Sequence, residues 1–280
     1  MRSLLDPYSF AFFRHGVAVA TVAGALCGLL GVFVVLRGLS YLGHGLSHAI
    51  FGGAAASALV STNFYAGAGA WGVASALAIG RLGRRRGIGG DAAIGVVTTA
   101  SFAFGVALLG LYGQVRRSLD ASLFGSVLGV STGDVWAVVV VAVAATTAVV
   151  AAYRPLLFTT FDAEVARASG VRVDRYDALL MVLLSAAVLT TMKVLGVVLV
   201  AATLVTPAAT ARLLTDRFSR MLWLSAVLGA VAGFAGMNVS YHLDVSSGAT
   251  IVLVASALFV VALGVSAFRW DAAGARRRVR

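Results

Sequence analysis

Charge is scarce in this 280-residue sequence: Asp, Glu, Lys and Arg supply 12% of it, against about a quarter in a soluble domain. With 60% hydrophobic residues, the chain cannot use water as its main solvent, and lipid takes that place. A single cysteine, Cys27, excludes any intrachain disulfide, and its A-L-C-G setting reads as a small packed side chain. The lone lysine, Lys193, stands in TTMKVLG without the Gly-rich loop that must precede a phosphate-binding lysine, so the chain is not itself an ATPase. No nucleophile-elbow motif occurs, which leaves intramembrane serine hydrolysis only the pair His242 and Ser247. Also missing is the alternating pattern of a membrane β-barrel.

What is there is a succession of Val, Ala, Leu, Ile, Phe and Gly runs, each about as long as a helix needs to cross the hydrocarbon core. Backbone groups in lipid must bond within their own segment, so such runs mean helices. The spans fall at 17–36, 41–60, 65–82, 91–112, 135–152, 177–192, 195–211, 221–240 and 247–268. The fold class is therefore an all-α integral membrane protein, a polytopic bundle of eight or nine transmembrane helices in one domain. Eight results if the hairpin around Lys193 is one long helix. The stretch 17–36 is too long for a signal-peptide core, and Leu26 is too large to precede a lipoprotein cleavage site, so this is a retained first span.

The net charge of +11 sits in short arginine clusters between apolar runs rather than on one soluble face, so it marks orientation and not nucleic-acid binding. With 153–176 in the cytoplasm, 17 of the 22 basic residues lie inside. That count puts the N-terminus outside and a basic tail, 269–280, in the cytoplasm. The 153–176 connection, with Pro155 near its start and Gly170 after a short helical stretch, is the one long polar segment and reads either as a solvated loop or as a surface for a cytoplasmic partner. Asp91, Asp120, Asp134 and Asp177 stand at span ends, where Asp caps helices. LGVFVVL from Leu30 is echoed by LGVVLVA from Leu195, a weak repeat, and Gly229 with Gly233 permits close helix packing.

The most informative constellation is GHGLSHAIFGG from Gly43. His44 and His48, four apart, share one helix face at a spacing that lets two imidazoles hold one metal ion. Ionisable groups inside a membrane usually face a cavity or a partner; the bland alternative is that both bond backbone groups or Ser47. Two ligands make a weak site, which suits a conduit that must release its ion. A second copy of the chain would bring up to four imidazoles together. His242 and Asp244 read as a solvated turn at the outer end of a span, and His15 as an interfacial residue.

Five ordered stretches carry a resemblance: GLLGVFVVLRGLSYLGHGLSHA from Gly28, DASLFGSVLGVSTGD from Asp120, FDAEVARASGV from Phe161, VLGVVLVAATLVTPAATARLL from Val194 and SGATIVL from Ser247. Over nearly its whole length the chain resembles the permease family of zinc, manganese and iron ABC importers, whose fold is that of type II ABC importer permeases. The resemblance implies a multi-pass protein of the bacterial inner membrane, embedded in lipid, that moves a divalent metal ion and holds no permanent cofactor. Implied partners are a cytoplasmic ABC ATPase, an extracytoplasmic metal-binding protein and a second copy or a paralogous permease. Asp162, Glu164, Ala168 and Gly170 then belong to the segment that docks on the ATPase. Where the family commonly has Asp four residues before its His, this chain has His44, which favours zinc, iron or nickel over manganese by ligand preference. A permease for a metal chelate, siderophore or cobalamin, or an ATP-independent metal channel or carrier, is the alternative.

Overall fold

The computed structural model describes residues 6–60, 62–85, 87–112, 130–196 and 199–278. Arg116, Arg117, Asp120 and most of the DASLFGSVLGV stretch lie outside them. After a 3-10 turn, Asp6–Ser9, every expected span is an α-helix: α1 Ala11–Leu36, α2 Leu42–Leu59, α3 Phe64–Leu82, α4 Gly89–Tyr112, α5 Thr132–Ala151, α8 Val173–Leu195, α9 Val200–Leu214, α10 Phe218–Leu243 and α11 Ser247–Arg278. The last of these runs through the basic stretch to Arg278. Between α5 and α8 come two short helices, α6 Tyr153–Phe161 and α7 Ala163–Ala168.

Six of these helices (α1, α4, α5, α8, α10 and α11) are long and apolar enough to cross a membrane alone. The other three are not. α9 has only 15 residues, while α2 and α3 are diluted by His44, His48, Trp71, Tyr65, serines and glycines. Their polarity is tolerated because they pack inside the bundle, α2 against α3, α4 and α9. α1 is the centre, with 72% of its span buried against 17% for α11. Exposed Trp136, Val140 and Val143 on α5, and Trp223, Val227, Val231 and Phe234 on α10, form the helical stripes that a lipid-facing surface requires.

Between lipid-embedded helices, close packing replaces the hydrophobic effect as the cohesive force. The α1–α10 seam shows it. Ala20, Gly24 and Gly28 meet Gly233, Gly229 and Ser225 so closely that a Cβ on Gly24 would collide with the Gly229 carbonyl, and one on Gly229 with that of Gly24. Ser225 Oγ donates to the Gly28 carbonyl at 2.6 Å. The Gly229–Gly233 spacing therefore serves packing within the chain.

The Lys193 region is a reversal and not one long helix. Gly196 ends α8 at φ 83°, a conformation an L side chain resists. Thr191 and Thr203, on either side of the break, both reach the Cys27 side chain. Twelve residues of continuous helix would separate them by about 18 Å. The two copies of the echo sit differently along the chain: LGVFVVL lies within α1, whereas LGVVLVA begins at the last residue of α8.

Candidate functional site

α2 carries the paired histidines. The glycines around them decide which way they point: Gly43 lies against Leu204 and Ala201 of α9, and Gly45 against Ile94 and Thr98 of α4. Gly52 and Gly53 seat the next turns on Ser101 of α4 and Trp71 of α3. With those faces occupied, His44 is left exposed and His48 half-buried. Their ring centroids are 4.5 Å apart at 72°, and Phe102 of α4 packs edge-on against His48 at 5.2 Å. Ser47 donates its hydroxyl to the His44 carbonyl at 2.9 Å rather than to a ring. Neither imidazole has a hydrogen-bond partner among the described residues, and no third His, Cys, Asp or Glu among them joins the pair. Two adjoining imidazoles on one face of α2 could supply two nitrogen donors to a shared ion.

The four residues of the polar connection divide into frame and surface. Asp162 stands between α6 and α7 and caps α7, its carboxylate accepting from the backbone N–H groups of Glu164 and Val165 at 2.9 Å each. Gly170, at φ 81°, closes α7: its N–H donates to the Arg167 carbonyl and that of Val171 to the Ala166 carbonyl, the paired bonds of a Schellman motif. Glu164 and Ala168 are exposed and share a face one turn apart. Around them Phe161, 61% exposed, and Val165, 50% exposed, make an apolar surface on an otherwise polar segment.

Asp177 corrects the expectation of a simple cap. It lies in the second turn of α8, and its carboxylate accepts from Arg37 Nη1 at 2.7 Å and from Arg84 Nη1 at 2.6 Å. Arg37 ends α1; Arg84 follows α3. The same Arg37 guanidinium donates through Nη2 to Thr159 Oγ1 at 3.1 Å and through Nε to Thr160 Oγ1 at 3.3 Å, both on α6. The ends of α1 and α3 and the start of α8 thus meet at one end of the bundle, as the alternating span order requires. Sequence inspection missed this cluster because Arg37 and Asp177 are 140 residues apart. Asp134, by contrast, is the expected cap, completing a capping box with Ser131 at the start of α5 and also accepting from the Tyr65 hydroxyl of α3. Asp91 lies in the first turn of α4.

His242 is exposed and its Nδ1 lies 2.8 Å from the Asn238 carbonyl of its own helix, while Asp244 ends that helix at φ 54°. Among the described residues no hydrogen bond joins His242 to Ser247, so the hydrolase pair is not assembled. Lys193 falls in α8, within a helix and not at a phosphate-cradling loop.

Residues 9–266 match the model of the ABC 3 transport family. The "Manganese transport system membrane protein MntC" of Halalkalibacterium halodurans is 39% identical over 254 residues, 91% of this chain and 87% of that protein. The "Probable iron transport system membrane protein" of Haemophilus influenzae is 34% identical over 266 residues, 95% of this chain and 98% of that protein. Among solved structures, "PsaBC from Streptococcus pneumoniae in complex with Fab" superposes with a TM-score of 0.82 at 34% identity, covering 92% of this chain and 94% of that one.

Proposed function

The chain belongs to the ABC 3 transport family, and from that membership we propose that it is the permease through which an importer passes a divalent transition-metal ion into the cytoplasm. The observation that carries the proposal is the His44–His48 pair, 4.5 Å between ring centroids, with no competing hydrogen-bond partner among the described residues. Neutral imidazoles are the commonest metal ligands, and a pair alone binds loosely enough to let an ion move on. A second copy, or a paralogue, meeting the exposed His44 face would raise the donor count to four.

The two relatives named above are called manganese and iron transport proteins. An all-imidazole donor pair leans towards zinc, iron or nickel. Both considerations meet on iron, with zinc and manganese as the competitors. Hydrolysis of ATP falls to a separate cytoplasmic subunit, and an extracytoplasmic metal-binding protein delivers the ion. The exposed surface of α7, with Glu164, Ala168, Phe161 and Val165, is the docking face for that ATPase. In this scheme closure of the ATPases moves α7, and the bundle alternates access around the path lined by α2.

Proteoliposomes holding the permease, its ATPase and the delivering protein provide the test. His44→Ala and His48→Ala should each reduce ATP-driven metal uptake by about tenfold or more, in line with lost ligands, while membrane insertion is unchanged. Wild-type uptake by the double variant would make the pair structural. Uptake that persists without hydrolysable ATP would overturn the ABC mechanism.

A further inference from the structure

We propose that Asp177 is the positioning residue that passes the motion of α7 to the helices around the translocation path, with Arg37 and Arg84 as its two arms. The inference rests on the reading of α7 as the ATPase-docking helix.

The ends of α1 and α3 meet on the Asp177 carboxylate of α8, and α6 joins them through Arg37. Arg37 spends all three guanidinium nitrogens here: one on Asp177 of α8, two on Thr159 and Thr160 in the last turn of α6. Thr160 is two residues from Asp162, the cap of α7. Any rotation of α7 about its cap therefore pulls on the end of α1, the most buried helix, through a planar fork of directed bonds. Other α6 contacts are of a different kind. Tyr153 and Phe161 both pack on Phe218, an apolar contact that permits sliding. The guanidinium fork does not permit it.

The second arm adds a discrete alternative. Arg84 bonds Asp177 at 2.6 Å, and its Nη2 already lies 3.6 Å from Asp174, one turn earlier on α8. Arg37 and Asp177 are nearly enclosed, with side chains 11% and 14% exposed, whereas Asp174 is 81% exposed. Arg84 can consequently leave the enclosed carboxylate for the exposed one while Arg37 stays in place. That exchange shifts the end of α3 by one turn along α8, on which it stays packed through Gly80 against Met181. α3 packs directly on α2 through Trp71 against Gly53 and Gly52, so that shift reaches the helix that carries His44 and His48. A network becomes a transmission element only when it has two arrangements that both sites bias, and Arg84 supplies them.

The decisive readout is metal imported per ATP hydrolysed, measured in proteoliposomes with the ATPase present. Replacing Thr159 and Thr160 together by Val keeps shape and the Arg37–Asp177 pair but removes the α6 acceptors. That variant should co-purify with the ATPase and hydrolyse ATP near the wild-type rate, while importing about tenfold less metal per ATP, a loss in the range of allosteric couplings. Asp177→Asn should uncouple in the same way, and Asp177→Glu should restore most of the ratio. Asp174→Asn, which removes the alternative partner, should also lower it. An unchanged ratio in the threonine double variant overturns the proposal, and so does a parallel fall of hydrolysis and uptake. Failure of the underlying reading looks different: if Glu164→Arg leaves ATPase co-purification undiminished, α7 is not the docking helix, whatever the Asp177 variants do.

Discussion

At the scale of single residues, substitutions at His44 and at Asp162 ask different questions. His44 places an imidazole on an exposed face, so His44→Asp would change the proposed donor set from two nitrogens to one nitrogen and one anionic oxygen. Harder oxygen ligands suit manganese, and imidazole suits zinc and iron. His44→Asp should therefore raise manganese uptake relative to zinc, measured by competition in the same vesicles, and an unchanged preference would show that selectivity is set elsewhere. Asp162 is a poor probe of docking by charge reversal because it also caps α7. Asp162→Asn keeps a capping oxygen and should leave α7 formed, whereas Asp162→Ala should cost about 1 kcal/mol of local helix stability. Charge reversal at Glu164, which makes no cap, isolates the surface itself. Loss of ATPase co-purification in Glu164→Arg, but not in Asp162→Asn, is the expected pattern.

Helices were the most legible feature, because a run of about 20 apolar residues has one stable conformation in lipid. Local geometry was legible too: the i, i+4 histidines needed only the helical repeat. What sequence could not express was anything joining distant segments. Arg37, Arg84, Thr159 and Asp177 come from four separate stretches, and nothing around Asp177 distinguishes a clamp from a cap. Nor could apolar length rank the helices, since α2 and α3 are sheltered by neighbours that only the fold supplies. The α1–α10 seam makes the same point energetically. Each of its glycines is unremarkable in a glycine-rich chain, yet a side chain at Gly24 has nowhere to go but into backbone. Gly24→Val should separate the two helices and lower the yield of folded, detergent-stable protein, with a cost at the upper end of overpacking, about 3 kcal/mol. Ser225→Ala removes one hydrogen bond at the same seam and should cost about 1 kcal/mol. Equal melting temperatures for both variants would show that backbone proximity there is not limiting.

For the whole molecule, the open quantity is orientation, and the chain carries its own means of measuring it. From the 17-to-5 division of basic residues, α6 and α7 are expected in the cytoplasm and the turn after α10 outside. Joining of Arg37, Arg84 and Asp177 at one end of the bundle means that these groups share a side, so a single sided label fixes them all. Cys27 is the only cysteine and is fully buried in α1, where it contacts Thr191. Its replacement by Ala gives a cysteine-free background at a small cost in packing. Into that background, Asp244→Cys and Ser169→Cys place one thiol at each end, both at exposed positions outside regular helix. A membrane-impermeant maleimide applied to intact cells should label the Asp244→Cys protein and not the Ser169→Cys protein; after permeabilisation both should react. Labelling in the reverse order would invert the molecule, place α7 on the wrong side for any cytoplasmic ATPase, and remove the Asp177 proposal with it. Protection of both sites in intact cells would instead require an external partner covering the α10–α11 turn, the end at which the proposed metal-delivering protein would dock.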